Sequence, residues 1–411
     1  MNLAALDLRS QADAKLLDSI AGLASPELVA LTGRLSRAFS IASPFAPGFH
    51  CIGGEIVIVP DPSAMAGVGA RLSVTGNGET QATALVSCLG EAAEYLSQFE
   101  RPGDIAATVA ACDRTRLVSD GWVGQAVSGA NRPIDCVNAV DAATGEAGLL
   151  PADLCLRRPQ ERRAIDPVVA LSSGAAAGPS FEAATLRAVL ELCERDAAAM
   201  WWLGGHRPKG FALEHPVTKA GAELIGRLRK GESTRRTMLL DITTDIGVPV
   251  VAAVSLGRDG REMACGLSSR LAASDAARAA VLEMCQMELA APVAAAKRAE
   301  SGDAALNEAD RRHLRRAAFA AENCALLQPR AMSAEAASLP TAADGLKGLV
   351  SHLRDRGIRL FLVDHTRHDL GVAVARAVSP DLQPFSAAVS TKRFSQVRGS
   401  SALARQEIPL F

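Results

Sequence analysis

The chain has 411 residues, 48% of them apolar and 22% charged, enough to bury a large core and too apolar for intrinsic disorder. Its 44 basic and 45 acidic side chains nearly cancel, which argues against a nucleic-acid binder working through a basic surface. Only 11 Phe, 3 Trp and 1 Tyr are present, too few for a base-stacking platform.

The first residues carry Asp7 and Arg9 and no apolar stretch of signal-peptide type. No uninterrupted apolar run reaches the ~18 residues of a membrane span, so a cytoplasmic protein without a membrane role is expected. The cysteines are scattered and form no CxxC pair, which predicts reduced, mostly buried thiols and no zinc site. Leu16, Leu17, Ile20 and Leu23, then Leu28, Leu31 and Leu35, recur at helical intervals. They predict an N-terminal helical segment over residues 1–45. A Gly/Pro-rich stretch from Pro44 to Gly69 follows, with one strand candidate at Glu55–Val59.

Beyond this point the chain resembles itself. Three Ala-rich segments, 82–94, 184–195 and 276–286, read as helices with one plan. Each carries an acidic or amide pair at i, i+3: Glu91 with Glu94, Glu191 with Glu194, and Glu283 with Gln286. Thr80, Ser180 and Ser274 stand where N-caps are expected. Glycine-rich turns, Thr75–Gly78 and Ser172–Gly178, precede the first two helices. A second repeat pairs residues 237–251 with 359–374, both reading strand, Asp-x-Thr turn, Gly, strand. The expected fold class is therefore α/β (α+β), built from pseudo-symmetric strand–helix repeats and too short in repeats for a solenoid. The charged stretches 207–236 and 297–317 mix both signs and predict exposed connections or helix faces.

Residues three apart on a helix share a face, so each Glu pair can converge on one ligand. Carboxylates on mostly apolar helices are costly to bury as anions and repel each other once gathered. Hard divalent cations such as Mg²⁺ relieve both penalties, and commonly bridge carboxylates to phosphate oxygens. The residues thus point to a metal–polyphosphate site; the ordinary alternative for any one ExxE is a solvated helix face.

In order and spacing the set resembles the YcaO family: Thr75-Gly-Asn-Gly, Ser87, Glu91 and Glu94; Ser172–Gly178, Glu191, Glu194, Arg195 and Asp196; Asp241-x-Thr-x-Asp245; Glu283 and Gln286; and Asp364–Gly371. The resemblance spans about residues 45 to 400 and implies a catalytic domain over 46–411. It implies an enzyme that uses ATP and Mg²⁺ to activate peptide backbone amides. Ser87, Glu91, Glu94, Glu191, Glu194, Arg195, Glu283 and Gln286 would bind ATP, with Glu91, Glu94, Glu191 and Glu194 holding the metal; no catalytic residue is assigned. A Cys, Ser or Thr nucleophile of a ribosomally made precursor peptide would give azolines by cyclodehydration, and sulfide would give a thioamide. Expected partners are the precursor peptide, a leader-peptide-binding or TfuA-like protein, and a second copy in a homodimer.

This chain departs from that pattern in several places. Tyr95 stands where the family usually has Arg, and either covers a nucleobase or packs. Ala176, Pro179 and Ala183 replace Ser, Asn and Glu contacts, Asn77 replaces a basic residue, and Glu288 replaces an expected Arg. These substitutions motivate a second reading, a non-catalytic peptide-binding scaffold. The end of the chain, Glu407-Ile-Pro-Leu-Phe411, carries one proline where azoline-forming members often have a proline-rich tail. His365 and His368 read as polar turn residues, Cys193 and Cys285 as buried packing, and Trp201 and Trp202 as a cap on the second helix. Lys392, Arg393 and Arg398 read as a basic loop or a phosphate contact.

Overall fold

The computed structural model describes residues 3–6, 14–57, 71–110, 117–118, 120–130, 132–166, 168–321, 324–333, 338–385, 388–400 and 410. In chain order the first elements are β1 (Leu3–Leu6), α1 (Ala14–Ala21), α2 (Pro26–Ala30), β2 (Leu35–Ala42), β3 (His50–Val57), β4 (Arg71–Gly78) and α3 (Gln81–Ser97). The middle of the chain adds β5 (Ala107–Val109), α4 (Gly121–Ser128), β6 (Ile134–Asp141), β7 (Ala147–Pro151), β8 (Ala175–Gly178), α5 (Phe181–Ala198) and α6 (Pro216–Arg229). Then come β9 (Arg235–Asp241), β10 (Val250–Gly257), β11 (Ala264–Ser269), α7 (Ala273–Ser301), α8 (Glu308–Ala318), α9 (Gly345–Arg354), β12 (Phe361–Asp364), β13 (Ala373–Val378) and α10 (Lys392–Ser400).

The strands form three antiparallel sheets with orders β1-β2-β3-β4, β11-β10-β9 and β5-β6-β12-β13-β8, the last with β7 on β6. Each sheet contributes one strand that runs directly into a long helix: β4 into α3, β8 into α5, β11 into α7. Each helix then packs back on its own strand. The pseudo-symmetry expected from the sequence is thus a threefold strand–helix repeat.

Glycine makes this packing possible. A Cβ at Gly76 would lie 2.1 Å from the Cys88 backbone nitrogen, and one at Gly266 would lie 2.2 Å from both Ala280 O and Met284 N. Thr75–Gly78, expected as a turn, is the end of strand β4. Its glycines serve helix approach rather than reversal of the chain. Thr80 and Ser180 cap α3 and α5 through the N–H groups of Thr83 and Ala183. Ser274 does not cap α7; the N-cap is Ala272, with no side-chain bond.

The two Asp-x-Thr segments are matching hairpins. Asp241 Oδ1 accepts from Thr243 N–H at 2.9 Å, and Thr243 Oγ1 accepts from Val250 N–H at 3.1 Å. In the second copy Asp364 Oδ1 accepts from Thr366 N–H at 2.8 Å, and Thr366 Oγ1 accepts from Val374 N–H at 3.2 Å. Gly247 and Gly371 occupy the left-handed region at φ 70° and 64°, so each turn needs its glycine. The extra residue in the second copy changes none of this.

Other expectations are revised. Among the described residues the N-terminal segment is α-helical only over α1 and α2; Leu35 opens β2, whose pairing with β1 and β3 runs across the expected boundary at residue 45. Leu31 and Leu35 were in helical phase with Leu28, but they enter the core from a 3-10 turn and a strand. Residues 58–59 of the strand candidate, and all of the last five residues except Leu410, lie outside the described residues. Helix α7 is long and apolar enough, by length and composition, to cross a membrane. It carries Glu283 and Glu288 and packs on β10 and β11, which accounts for its apolar face as core.

Candidate active site

The three repeats aim their glutamates at one cavity of about 1010 Å³. Ser87, Glu91, Glu94, Glu191, Glu194, Arg195, Glu283 and Gln286 all line it. Every site residue expected from the sequence is therefore brought together.

The first glutamate of each pair is held in the same way. Glu91 Oε2 accepts from Thr75 N–H at 2.7 Å, Glu191 Oε2 from Gly174 N–H at 3.2 Å, and Glu283 Oε2 from Leu267 N–H at 2.7 Å. In each repeat a backbone donor on the strand side fixes a carboxylate on the helix; the second oxygen of Glu191 also accepts from Arg195 Nη2 at 3.4 Å. Cross-repeat contacts lock the three units to each other. Glu94 Oε1 accepts from Ala177 N–H, Gln286 Nε2 donates to Thr75 Oγ1 at 2.8 Å, and Asn77 Nδ2 donates to Gln286 Oε1.

Charge in the cavity is unbalanced. Burial pushes the Glu94 carboxyl up to about 8, with the Ala177 N–H opposing and the Glu191 and Glu91 charges adding to the rise. Burial also pushes Glu194 up to about 8; Arg195 opposes this, and Glu283 and Glu191 reinforce it. Glu91 and Glu283 rise for the same first reason. Burial works against the Arg195 guanidinium, but Glu194, Glu191 and Glu283 outweigh it and hold it protonated. Its Nη2 lies 3.4 Å from Glu191 and 3.5 Å from Glu194. Three arginines, Arg187, Arg195 and Arg270, share the cavity with five glutamates, so acidic groups outnumber basic ones and the cavity favours added cations. Among the described residues no three His, Cys, Asp or Glu side chains are close enough to hold an ion unaided. Ligand oxygens would have to complete any coordination sphere, which suits Mg²⁺ shared with phosphates.

The departures from the family pattern have local explanations. Tyr95 is not in the cavity wall; its ring lies under the Arg157 guanidinium, 4.1 Å from centroid to Cζ, and against Phe99. Of its two roles, packing is the one found. Glu288 is buried against Arg229 and Arg235, away from the cavity. Ala176 and Pro179 do face the cavity and offer it no side-chain ligand.

Residues missed from the sequence include Arg187, Arg270, Ser268 and the α1–α2 connection at Gly22–Ser25, all in the cavity wall. Arg187 had a readable signal, since it stands four residues before Glu191 on the same helix face. The connection carried none, because only tertiary folding brings it there. Outside the cavity, His365 lies in the connection between β12 and β13 and is buried there, and burial takes its imidazole down to about 3. Trp201 and Trp202 are buried in the core beyond α5 as expected. Arg393 belongs to α10 and pairs with Asp196 and Asp245.

In fold the chain is similar to heterocyclases. One, solved in complex with substrate and cofactor, matches with TM-score 0.67 and 19% identity over 97% of this chain and 56% of that one. This chain thus spans little more than half the length of that protein. YcaO from Methanopyrus kandleri, bound with AMPPCP and Mg²⁺, matches with TM-score 0.57 and 18% identity over 87% of this chain and 90% of that one. The E. coli microcin synthetase McbBCD complex with pro-MccB17 bound matches with TM-score 0.60 and 14% identity over 84% and 88%. A comparison with curated proteins finds no match. The family model described as YcaO cyclodehydratase, ATP- and Mg²⁺-binding, matches residues 75–383. The chain belongs to the YcaO family.

Proposed function

We propose that this protein uses ATP and Mg²⁺ to activate backbone amides of a ribosomally synthesised precursor peptide, with cyclodehydration of Cys, Ser or Thr to azolines as the leading outcome. The observation that carries this reading is the convergence of Glu91, Glu94, Glu191, Glu194 and Glu283 from three helices on one cavity. Bound ATP with Mg²⁺ supplies the phosphoryl group that converts the amide oxygen into a leaving group. The chain's own part is positioning and electrostatics, as in phosphoryl transfer generally. Glu91, Glu94, Glu191 and Glu194 would hold the metal. Ser87, Arg195, Glu283 and Gln286 would complete the nucleotide site, with Arg195 also fixing the orientation of the second Glu pair. The heterocyclase and microcin-synthetase likeness supports the azoline product, a peptide substrate and a partner protein that captures it.

Two alternatives are tested alongside it. A backbone thioamide would use the same activation with sulfide and a TfuA-like partner. A non-catalytic scaffold is favoured by Ala176 and Pro179, which leave part of the wall without ligands. Incubation of the protein with ATP, Mg²⁺ and a Cys/Ser/Thr-rich precursor, with its leader-binding partner, separates them by intact mass. Loss of one water per ring supports azolines; exchange of oxygen for sulfur supports the thioamide. Absence of nucleotide binding by calorimetry, alone or with the partner, establishes the scaffold.

A further inference from the structure

The cavity holds cationic groups that its carboxylates do not consume. Arg187 projects from α5, and Arg270 follows the end of β11; both are exposed and both line the cavity. Each uses one donor on a nearby carbonyl, Arg187 Nη1 on Ala177 O at 2.9 Å and Arg270 Nη1 on Ser269 O at 2.7 Å. Among the described residues neither has a carboxylate within ion-pairing distance, although Glu94 and Glu194 are close enough to be influenced by them. A guanidinium carries five N–H donors, so most of this capacity is left unused. Beside them Ser268 is 2% exposed, lines the same cavity, and has no hydrogen-bond partner for its Oγ. A buried hydroxyl left unpaired costs stability unless a ligand completes it.

The site therefore holds two sets of groups with different unmet needs. The glutamates are fixed by backbone donors and need cations; the two arginines and the serine offer donors and need an anion. This wall is also where Ala176 and Pro179 provide no ligand. The geometry points to Arg187, Arg270 and Ser268 as a metal-independent clamp for polyphosphate oxygens, in the same cavity as the metal-holding glutamates. The inference rests on the nucleotide reading given above and assigns that site its second half. Guanidinium suits this task because its planar donor fork matches phosphate oxygens bidentately.

The test uses the full-length protein and calorimetric titration with inorganic tripolyphosphate and, separately, ATP, each in excess Mg²⁺. The double variant R187Q/R270Q should lose about ten- to hundredfold in affinity for both ligands, from the worth of charge-assisted hydrogen bonds. Its lysine counterpart, R187K/R270K, should recover part of the loss. S268A should lose less than the double glutamine variant and leave Mg²⁺ binding unchanged. Wild-type affinity in R187Q/R270Q overturns the clamp while leaving the nucleotide reading intact. A wild-type protein that binds tripolyphosphate through these arginines but not ATP keeps the clamp and sinks the nucleotide reading. Failure of the wild type to bind either ligand sinks both.

Discussion

Glu94 Oε1 lies 2.8 Å from the backbone nitrogen of Ala177, joining α3 to β8 across 83 positions of sequence. That single N–H opposes the desolvation of the carboxyl without cancelling it, and Glu94 still sits at about 8. Glu194 is displaced equally far. For an acid whose folded value lies above the unfolded one, the native state binds more protons between the two values, so stability falls as pH rises. The ligand-free protein should therefore melt at a lower temperature at about pH 9 than at about pH 6. Mg²⁺ with ATP should narrow the difference, since cations replace the protons. Thermal melts with and without Mg²⁺–ATP across that range test the idea; a flat profile for the ligand-free protein would remove the argument that the glutamates are under electrostatic stress.

The same stress makes substitution at Glu194 act in opposite directions on stability and function. Glu194→Gln keeps the volume and removes a buried like charge, so the ligand-free protein should become more stable at about pH 8. Metal-dependent phosphate release should fall by at least about a hundredfold, because a ligand to the cation is gone. Glu191→Gln should show the same loss of turnover. Unchanged phosphate release in both variants would contradict the metal-binding role.

Gly76 and Gly266 are predicted to be intolerant of even one methyl group. Their Cβ atoms would meet helix backbone at 2.1 to 2.2 Å, where no rotamer change gives relief, so α3 or α7 would have to move. Overpacking of this kind costs about 1–3 kcal/mol or more, and the helix that shifts carries its glutamates with it. Gly76→Ala and Gly266→Ala should lower both the urea midpoint and Mg²⁺–ATP affinity, the second by about tenfold or more.

The site was unusually legible because its residues are written as a repeat. Glu91/Glu94, Glu191/Glu194 and Glu283/Gln286 sit at one helical spacing in three similar segments, and one plan of strand–helix packing delivers them all to one place. The Asp-x-Thr hairpins were legible for the same reason, since each uses local bonds two to eight residues apart. What stayed hidden depends on contacts distant in sequence. Leu35 continues the periodicity of Leu28 and Leu31, and only its pairing with β3 makes it a strand residue. Ser274 has the right chemistry for a cap but stands inside the helix, two positions past Ala272. Arg270 follows a strand and announces nothing until β11 is seen to end at the cavity.

Tyr95 offers a sharp separation of packing from binding. Its ring stacks with Arg157, whose Nε also donates to Gln98 Oε1 at 2.9 Å. Tyr95→Ala should cost about 1–3 kcal/mol through lost ring burial and cation–π contact. ATP affinity, measured below the melting range, should stay within about twofold of wild type, since the ring does not face the cavity. A selective loss of ATP over tripolyphosphate affinity would instead place the ring on the nucleobase.

Glu288 stands where the family resemblance led to an arginine, and the structure shows why this chain requires the opposite charge. Arg229 reaches both carboxylate oxygens of Glu288, at 2.7 Å and 2.5 Å, and Arg235 Nε approaches at 3.1 Å. All three side chains are buried, and Phe45 closes the cluster with its carbonyl on Arg229 and its ring beneath Arg235. Removing the carboxylate leaves the Arg229 guanidinium buried with no counter-charge and Arg235 with only the exposed Glu262 at 3.2 Å, a loss of about 3–5 kcal/mol when one partner of a buried ion network is deleted. Glu288→Gln should therefore lower the unfolding free energy by an amount in that range, and Glu288→Arg, which adds a third cation, by more. Because Glu288 points away from the cavity, folded Glu288→Gln at low temperature should bind Mg²⁺–ATP within about twofold of wild type. Chemical denaturation paired with calorimetry distinguishes the roles. Weakened nucleotide binding at undiminished stability would transfer Glu288 from the scaffold to the site.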